Sequence, residues 1–136
     1  MVKQATVFYV DDNPKSRELV TSILEAKGFA VIAAEDPIEA LSRAKSAEFE
    51  IALLDYQMPG MLGTQLAREL KRIDPDLPVV VISGLASLPS TELAGVNVHL
   101  GRGTRVDQLL ETLDMLTDGQ SLHWSRSPIS CWHGST

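Results

Sequence analysis

Three short stretches of this chain are apolar without polar alternation, and a polar residue follows each one. They are VFYV before Asp11, IALL before Asp55 and VVVI before Ser83. A strand with one solvent-facing side alternates polar and apolar residues, whereas a strand covered on both faces does not. The pattern therefore predicts strands of a parallel sheet that are buried between two layers of helices.

Amphipathic segments of helical periodicity alternate with the predicted strands. The strands are residues 6–10, 29–34, 50–54, 79–82 and 96–100, and the helices are residues 15–27, 35–47, 64–73 and 104–116. Within residues 85–94, Pro89 limits the fourth helix to about two turns. Five strand–helix repeats imply right-handed crossovers with helices on both faces of the sheet. We therefore predict an α/β protein with a doubly wound (βα)5, flavodoxin-like fold, whose five-stranded parallel sheet has the order 2-1-3-4-5.

The length and charge are typical of one acidic domain. The chain has 136 residues and a formal net charge of -6, which argues against nucleic acid as a direct partner, since phosphate binding needs a basic face. Its one cysteine excludes an internal disulfide, and no apolar run reaches the ~20 residues of a membrane span. We expect a cytoplasmic location without membrane contact. Residues 1–117 are assigned to the domain, and residues 118–136 to a flexible tail or the start of a linker.

Polar side chains follow four of the predicted strands at one edge of the sheet. Asp11 and Asp12 follow the first strand and Asp55 the third, and these two strands are neighbours in the predicted order. Three converging carboxylates repel one another unless a cation lies among them, and hard oxygen ligands favour Mg2+. Ser83 and Arg102 follow strands four and five, and they add a hydroxyl and a guanidinium that suit a phosphoryl group. The edge is therefore a candidate site for both groups.

These motifs resemble the receiver domain of two-component response regulators over residues 6–116. The family pattern has an acidic pair after the first strand, here Asp11-Asp12. Its phosphoacceptor loop reads Asp-x-x-Met-Pro-x-x-x-Gly, here residues 55–63. A Ser or Thr follows strand four, here Ser83, and Ala-Gly precedes strand five, here residues 94–95. The resemblance implies the (βα)5 fold and a phosphorelay function.

The resemblance also implies a role for each site residue. Asp55 is implied as the nucleophile that takes a phosphoryl group from a sensor histidine kinase or phosphotransfer protein. Asp12, Asp55 and the backbone carbonyl of Gln57 are implied as direct Mg2+ ligands, and Asp11 as a ligand mostly through water. Ser83 is implied to donate to a phosphoryl oxygen. We interpret the chain as a phosphoacceptor domain that signals to a protein target and catalyses only its own phosphorylation and dephosphorylation, so not as an enzyme.

The chain departs from the family pattern at Arg102-Gly103 and at His99. Where the family has Lys-Pro after strand five, this chain has Arg102-Gly103, and arginine keeps the charge of lysine without its shape. The aromatic switch position of the family falls on His99, which is smaller and more polar. Both lie on the face that commonly reports phosphorylation. We therefore predict phosphorylation with only a weak shift of the fourth helix and fifth strand, and the catalytic set Asp55, Ser83 and Arg102.

Other interpretations stay open at this point. The chain could be a receiver detached from a longer regulator or hybrid kinase, or a degenerate receiver that acts only as a binding module. A Mg2+-dependent aspartyl-phosphate phosphatase would use a second acid two residues after the nucleophile, and that position is Gln57. His123, Cys131 and His133 match no common zinc spacing and are assigned to a solvated tail.

Overall fold

The computed structural model describes residues 5–121, and side chains over residues 5–117. Its strands are β1 (Thr6–Val10), β2 (Ala30–Ala34), β3 (Ile51–Asp55), β4 (Val79–Ser83) and β5 (Val98–Gly101). Its helices are α1 (Pro14–Ala26), α2 (Pro37–Ala44), α3 (Gly63–Ile73) and α4 (Val106–Ser121), and a 3-10 turn spans Ser90–Glu92. None of the helices within the described residues is long and apolar enough to span a membrane.

The five strands form one parallel sheet in the order β2-β1-β3-β4-β5, which confirms the predicted fold. Strand β1 lies beside β3, with Val10 opposite Leu54. Ser83 at the end of β4 lies opposite Gly101 at the end of β5. The carboxyl ends of β1, β3, β4 and β5 therefore lie at one edge of the sheet, where the polar residues that follow these strands come together.

Alternation along the strands divides the core into two layers. Helices α2 and α3 cover one face of the sheet. The buried strand residues of that face are Phe8, Val10, Ala34, Ala52, Leu54, Val79 and Val81. Helices α1 and α4 cover the other face, and its buried strand residues are Val7, Tyr9, Ile51, Leu53, Val80 and Leu100. Each fully buried aliphatic side chain contributes about 1.5–3 kcal/mol relative to exposure, so these layers hold the edge in place.

Capped helix starts keep the loops at this edge short. The side chain of Asn13 accepts hydrogen bonds from the backbone N–H groups of Lys15, at 2.9 Å, and Ser16, at 3.1 Å. Pro14 occupies the first turn of α1, where its missing N–H would have no helical partner. Only three residues therefore separate β1 from α1, and the acidic pair lies within them.

The short fourth helix predicted within residues 85–94 is not an α-helix. The structure has only the 3-10 turn Ser90–Glu92 in this segment, and Pro89 precedes that turn. Proline lacks the N–H that a continuing helix requires. The turn is held instead by side chains, since the hydroxyls of Tyr56 (2.7 Å) and Thr64 (3.2 Å) both donate to Glu92 Oε1. The segment is thereby attached to the residue that follows Asp55.

Helix α4 continues to Ser121, past the predicted end at residue 116. A single glycine lowers helix stability by about 1 kcal/mol relative to alanine, so Gly119 weakens the helix without ending it. The boundary assigned at residue 117 stays a prediction. Residues 122–136, which include His123, Cys131 and His133, lie outside the described residues, and so does most of the predicted tail.

Candidate functional site

Three carboxylates converge at the carboxyl edge of the sheet. Asp11, Asp12 and Asp55 each offer an oxygen, and these oxygens all lie within 4.8 Å of one another. Asp11 and Asp55 are buried, at 4% and 6% exposure, whereas Asp12 is exposed. The structure thus brings together the three predicted acidic residues, two of them largely buried.

Hydrogen bonds fix the carboxylate of Asp11 from the protein side. The hydroxyl of Tyr9 donates to Oδ2 at 2.6 Å, and the backbone N–H of Asn13 donates to Oδ1 at 3.0 Å. Arg17 Nη1 donates to the backbone carbonyl of Asp11 at 2.7 Å. Burial, followed by the hydrogen bond to Asp11, raises the pKa of Tyr9 above its usual value, so its hydroxyl stays protonated as a donor.

Tyr9 is a site residue that the sequence reasoning missed. It precedes Asp11 by two residues on β1, and the period of a strand places residues two apart on the same side. That spacing is the signal that could have identified it. In the sequence Tyr9 stands within an apolar run, although a tyrosine hydroxyl needs a partner when it is buried.

Asp55 is the last residue of β3, and its carboxylate contacts the guanidinium of Arg102. Arg102 Nη2 lies 2.5 Å from Asp55 Oδ1. Burial raises the pKa of Asp55, the negative charge of Asp11 raises it further, and Arg102 opposes both effects. The charge of Asp12 adds a smaller upward contribution to the pKa. The positive charge of Arg102 therefore only partly offsets the effects of burial and of the neighbouring negative charges on the pKa of Asp55.

The loop after β5 is joined to the end of β4. The backbone N–H of Arg102 donates to the carbonyl of Ser83 at 2.7 Å. The hydroxyl of Ser83, which is 1% exposed, lies 2.8 Å from Nε2 of His99 and accepts from the backbone N–H of Leu85 at 3.1 Å. Ser83 and Arg102 are thereby connected to each other, and Arg102 in turn reaches Asp55.

A close approach of backbone to backbone shapes the loop after Asp55. The N–H of Gly63 donates to the carbonyl of Tyr56 at 2.7 Å, which closes the loop. A Cβ atom on Gly63 would lie 2.3 Å from the backbone oxygen of Asp55, so only glycine fits there. Gln57 lies in this loop with an exposed side chain, two residues beyond Asp55. The proposed role of its carbonyl as a ligand stays a prediction.

The donor set of the edge fits a magnesium ion. Mg2+ prefers oxygen ligands, keeps several waters and takes one or two carboxylates. Asp11, Asp12 and Asp55 supply three carboxylates close together. The raised pKa of Asp55 has burial and the neighbouring acids as causes, and a bound cation would offset the repulsion from those acids. Asp12 and Asp55 would hold the ion directly.

A family model agrees with the fold. The model of the response regulator receiver domain matches residues 7–102, which is more than half of the chain. The chain therefore belongs to the family of response regulator receiver domains of two-component systems. Among its relatives is the C4-dicarboxylate transport transcriptional regulatory protein DctD of Rhizobium meliloti. The two are 38% identical over 85 residues, which cover 62% of this chain and 18% of DctD.

The relatives are longer proteins, and solved structures share the fold. The chain covers between 16% and 49% of the length of the curated relatives it matches. A CheY-like receiver domain protein from Methanospirillum hungatei has a TM-score of 0.82 and 27% identity, covering 88% of this chain and 98% of the other. The response regulator TrrA from Thermotoga maritima, solved with Mg2+-BeF, has a TM-score of 0.78 and 24% identity, covering 83% and 99%.

Proposed function

We propose that this domain accepts a phosphoryl group on Asp55 from the histidine of a sensor kinase or of a phosphotransfer protein, with Mg2+ required. The observation that supports the proposal is the buried carboxylate of Asp55, placed against Asp11 and Asp12 and paired with Arg102. A nucleophile needs a fixed position at an accessible edge, and β3 provides it. The mixture of acids and one guanidinium suits a site that handles both a metal and an anion.

The transfer is a displacement at phosphorus. An oxygen of Asp55 attacks, the phosphorus–nitrogen bond to the donor imidazole breaks, and its electron pair returns to that nitrogen. The magnesium ion, when bound, supplies the positive charge that reduces repulsion between the carboxylate and the phosphoryl oxygens. Asp11 and Asp12 hold that charge beside the nucleophile. The attack uses the ionised form of Asp55, so no proton transfer from Asp55 accompanies it.

Arg102 and Ser83 bind the phosphoryl group once it is on Asp55. The guanidinium of Arg102 contacts Asp55 Oδ1 and is half-exposed, so it can turn to bind phosphoryl oxygens in a bidentate manner. Ser83 lies at the end of the adjacent strand and supplies a hydroxyl donor to a phosphoryl oxygen. TrrA, a structural neighbour, was solved with Mg2+-BeF, a combination of metal and phosphoryl mimic that this site is expected to bind as well.

The output is binding to a protein target from a cytoplasmic location, and the domain acts on no other substrate. Its net charge of -6 favours partners with basic or neutral surfaces over nucleic acid. A degenerate receiver would share the fold but would not be phosphorylated. A phosphatase would require a carboxylate at the position of Gln57, where the side chain is an amide.

Binding of beryllofluoride tests the proposal without a kinase. Fluorine NMR of the wild type with beryllofluoride and Mg2+ is expected to show bound fluoride signals that vanish when Mg2+ is removed. The variant Asp55→Asn is expected to show none, because it lacks the carboxylate oxygen that bonds beryllium. Bound signals of equal strength in Asp55→Asn would contradict the assignment of the nucleophile.

A further inference from the structure

His99 makes one side-chain hydrogen bond within the described part of the chain, and its partner is the hydroxyl of Ser83. The two residues lie on neighbouring strands, since His99 is opposite Val81 and Ser83 follows two residues later. Alternation along the strands places both side chains on the sheet face that carries Val81. The distance from Nε2 to Oγ is 2.8 Å, within the range of a well-formed hydrogen bond.

The hydroxyl of Ser83 has one proton and two lone pairs to distribute. One lone pair accepts from the backbone N–H of Leu85 at 3.1 Å. The carbonyl of Leu85 lies 3.3 Å away and is a distant acceptor for the proton. His99 Nε2 is the nearest partner, so the state of this nitrogen decides where the proton of Ser83 goes.

The imidazole can be either partner in this hydrogen bond. A neutral imidazole carries its proton on Nδ1 or on Nε2. With the proton on Nδ1, the nitrogen Nε2 accepts the proton of Ser83 and holds it. With the proton on Nε2, the imidazole donates to the second lone pair of Ser83, and the hydroxyl proton is free for another acceptor.

We propose that His99 is a positioning residue whose tautomer sets whether Ser83 can donate to a phosphoryl group on Asp55. This inference rests on the proposed function. Without the phosphoryl group, Nδ1 carries the proton and Ser83 donates to His99. With it, Ser83 donates to a phosphoryl oxygen and Nε2 donates to Ser83. One proton leaves Nδ1 to water and one reaches Nε2 from water, so the imidazole stays neutral.

The surroundings of His99 support a neutral ring. Burial lowers the pKa of His99 below its usual value of about 6.5, so the ring is unprotonated near neutral pH. In this state the difference between the two nitrogens matters, because a protonated ring would donate from both. A phenylalanine at this position would have no nitrogen and could not hold the proton of Ser83. The change of tautomer needs no rotation of the imidazole ring, which agrees with the prediction that β5 shifts only weakly.

Nitrogen-15 NMR of the His99 side chain distinguishes the tautomers directly. We expect the Nδ1–H form in the free protein and the Nε2–H form with Mg2+ and beryllofluoride. Fluorine NMR on the same sample reports whether the mimic binds. Binding with an unchanged tautomer would overturn this inference and leave the proposed function standing, whereas absence of binding would overturn both. In Ser83→Ala, the tautomer is expected to stay the same with and without the mimic.

A double-mutant cycle gives an independent measurement of the link. The variant His99→Phe is expected to change the affinity for beryllofluoride by roughly threefold or more, since it removes the nitrogen that holds the Ser83 proton in the free state and donates to Ser83 in the bound state. In the Ser83→Ala background, His99→Phe is expected to have no effect on that affinity. Equal changes in the two backgrounds would show that His99 acts on the site through packing alone, and would overturn the inference.

Discussion

Arg102 Nη2 lies 2.5 Å from Oδ1 of Asp55. Asp55 ends β3 and Arg102 follows β5, and strand β4 lies between these two strands in the sheet. The side chain of Arg102 is 50% exposed and that of Asp55 is 7% exposed. Because the guanidinium end of the pair is half-exposed, water solvates Arg102 readily when it leaves the carboxylate of Asp55. The contact can therefore be exchanged at little cost when a phosphoryl group arrives. Arg102 is thus already placed to follow the negative charge from the carboxylate to the phosphoryl oxygens.

Replacing Arg102 is expected to slow phosphorylation. The variant Arg102→Met is expected to lower the rate with acetyl phosphate by about tenfold, because a charge-assisted hydrogen bond of about 1.5–3 kcal/mol is lost. Arg102→Lys keeps the charge without the bidentate geometry, and its phosphorylation rate is expected to lie between those of the wild type and Arg102→Met. Arg105→Met, at an exposed ion pair with Asp107, is the matched control. A faster reaction in Arg102→Met would mean that the arginine mainly shields Asp55.

Neutralising Asp12 is expected to weaken Mg2+ binding and phosphorylation together. Asp12→Asn removes one of three clustered carboxylates, and a fall in Mg2+ affinity of about tenfold or more is expected by analogy with losses at metal-site partners. Calorimetric titration with Mg2+ measures it, and Asp114→Asn on the exposed surface of α4 provides the same substitution away from the site. An unchanged Mg2+ affinity in Asp12→Asn would remove Asp12 from the ligand set.

The raised pKa of Asp55 predicts how stability depends on pH without metal. Burial, followed by the charge of Asp11, raises this pKa in the folded state, so folding favours the protonated carboxyl. The stabilising contribution is complete below the unfolded pKa of about 3.9 and is lost as the pH rises through the folded pKa. Asp55→Asn, which cannot ionise, is therefore expected to be more stable than the wild type at pH 7.

Urea unfolding at several pH values measures this effect on the free energy of unfolding. The gain of Asp55→Asn over the wild type is expected to shrink as the pH falls through the folded pKa towards about 3.9. A gain that is the same at every pH, or a loss at pH 7, would show that the pair with Arg102 outweighs burial at this carboxylate.

Tyr9 is expected to stabilise the protein through Asp11. Tyr9→Phe removes the hydroxyl that donates to Oδ2 and leaves a buried carboxylate with one donor fewer. The free energy of unfolding is expected to fall by about 1–3 kcal/mol at neutral pH. The double variant Tyr9→Phe with Asp11→Asn serves as the control, because the carboxylate is then absent. A similar loss from Tyr9→Phe in both backgrounds would assign the effect to packing.

The strand order accounts for what could be predicted of this site. Once β1 and β3 are neighbours, the residues that follow them must meet, so the convergence of Asp11, Asp12 and Asp55 follows from periodicity alone. The hydrogen bond between His99 and Ser83 depends on the register of β4 with β5 and on two side-chain rotamers. Neither is set by local sequence, and neither was predicted. A short helix was predicted for the segment with Pro89. The segment is instead held by hydrogen bonds from Tyr56 and Thr64 to Glu92, and such non-local contacts cannot be read from its own residues.

The loop around Arg102 shows the same limit. Glycines flank Arg102 at positions 101 and 103, and the sequence places its charge at the candidate site without indicating which groups hold the loop. In the structure the backbone N–H of Arg102 donates to Ser83, which fixes the loop before any phosphoryl group arrives. Long-range hydrogen bonds of this kind depend on the tertiary fold, whereas buried strands can be recognised from the local pattern of apolar residues.

Intact-mass spectrometry tests phosphorylation of Asp55 most directly. The wild type and Asp55→Asn are each treated with acetyl phosphate, with Mg2+ and with a chelator in its place. We predict a gain of one phosphoryl group in the wild type with Mg2+ and none in the other three samples. No gain in the wild type with Mg2+, or an equal gain in Asp55→Asn, would contradict the account.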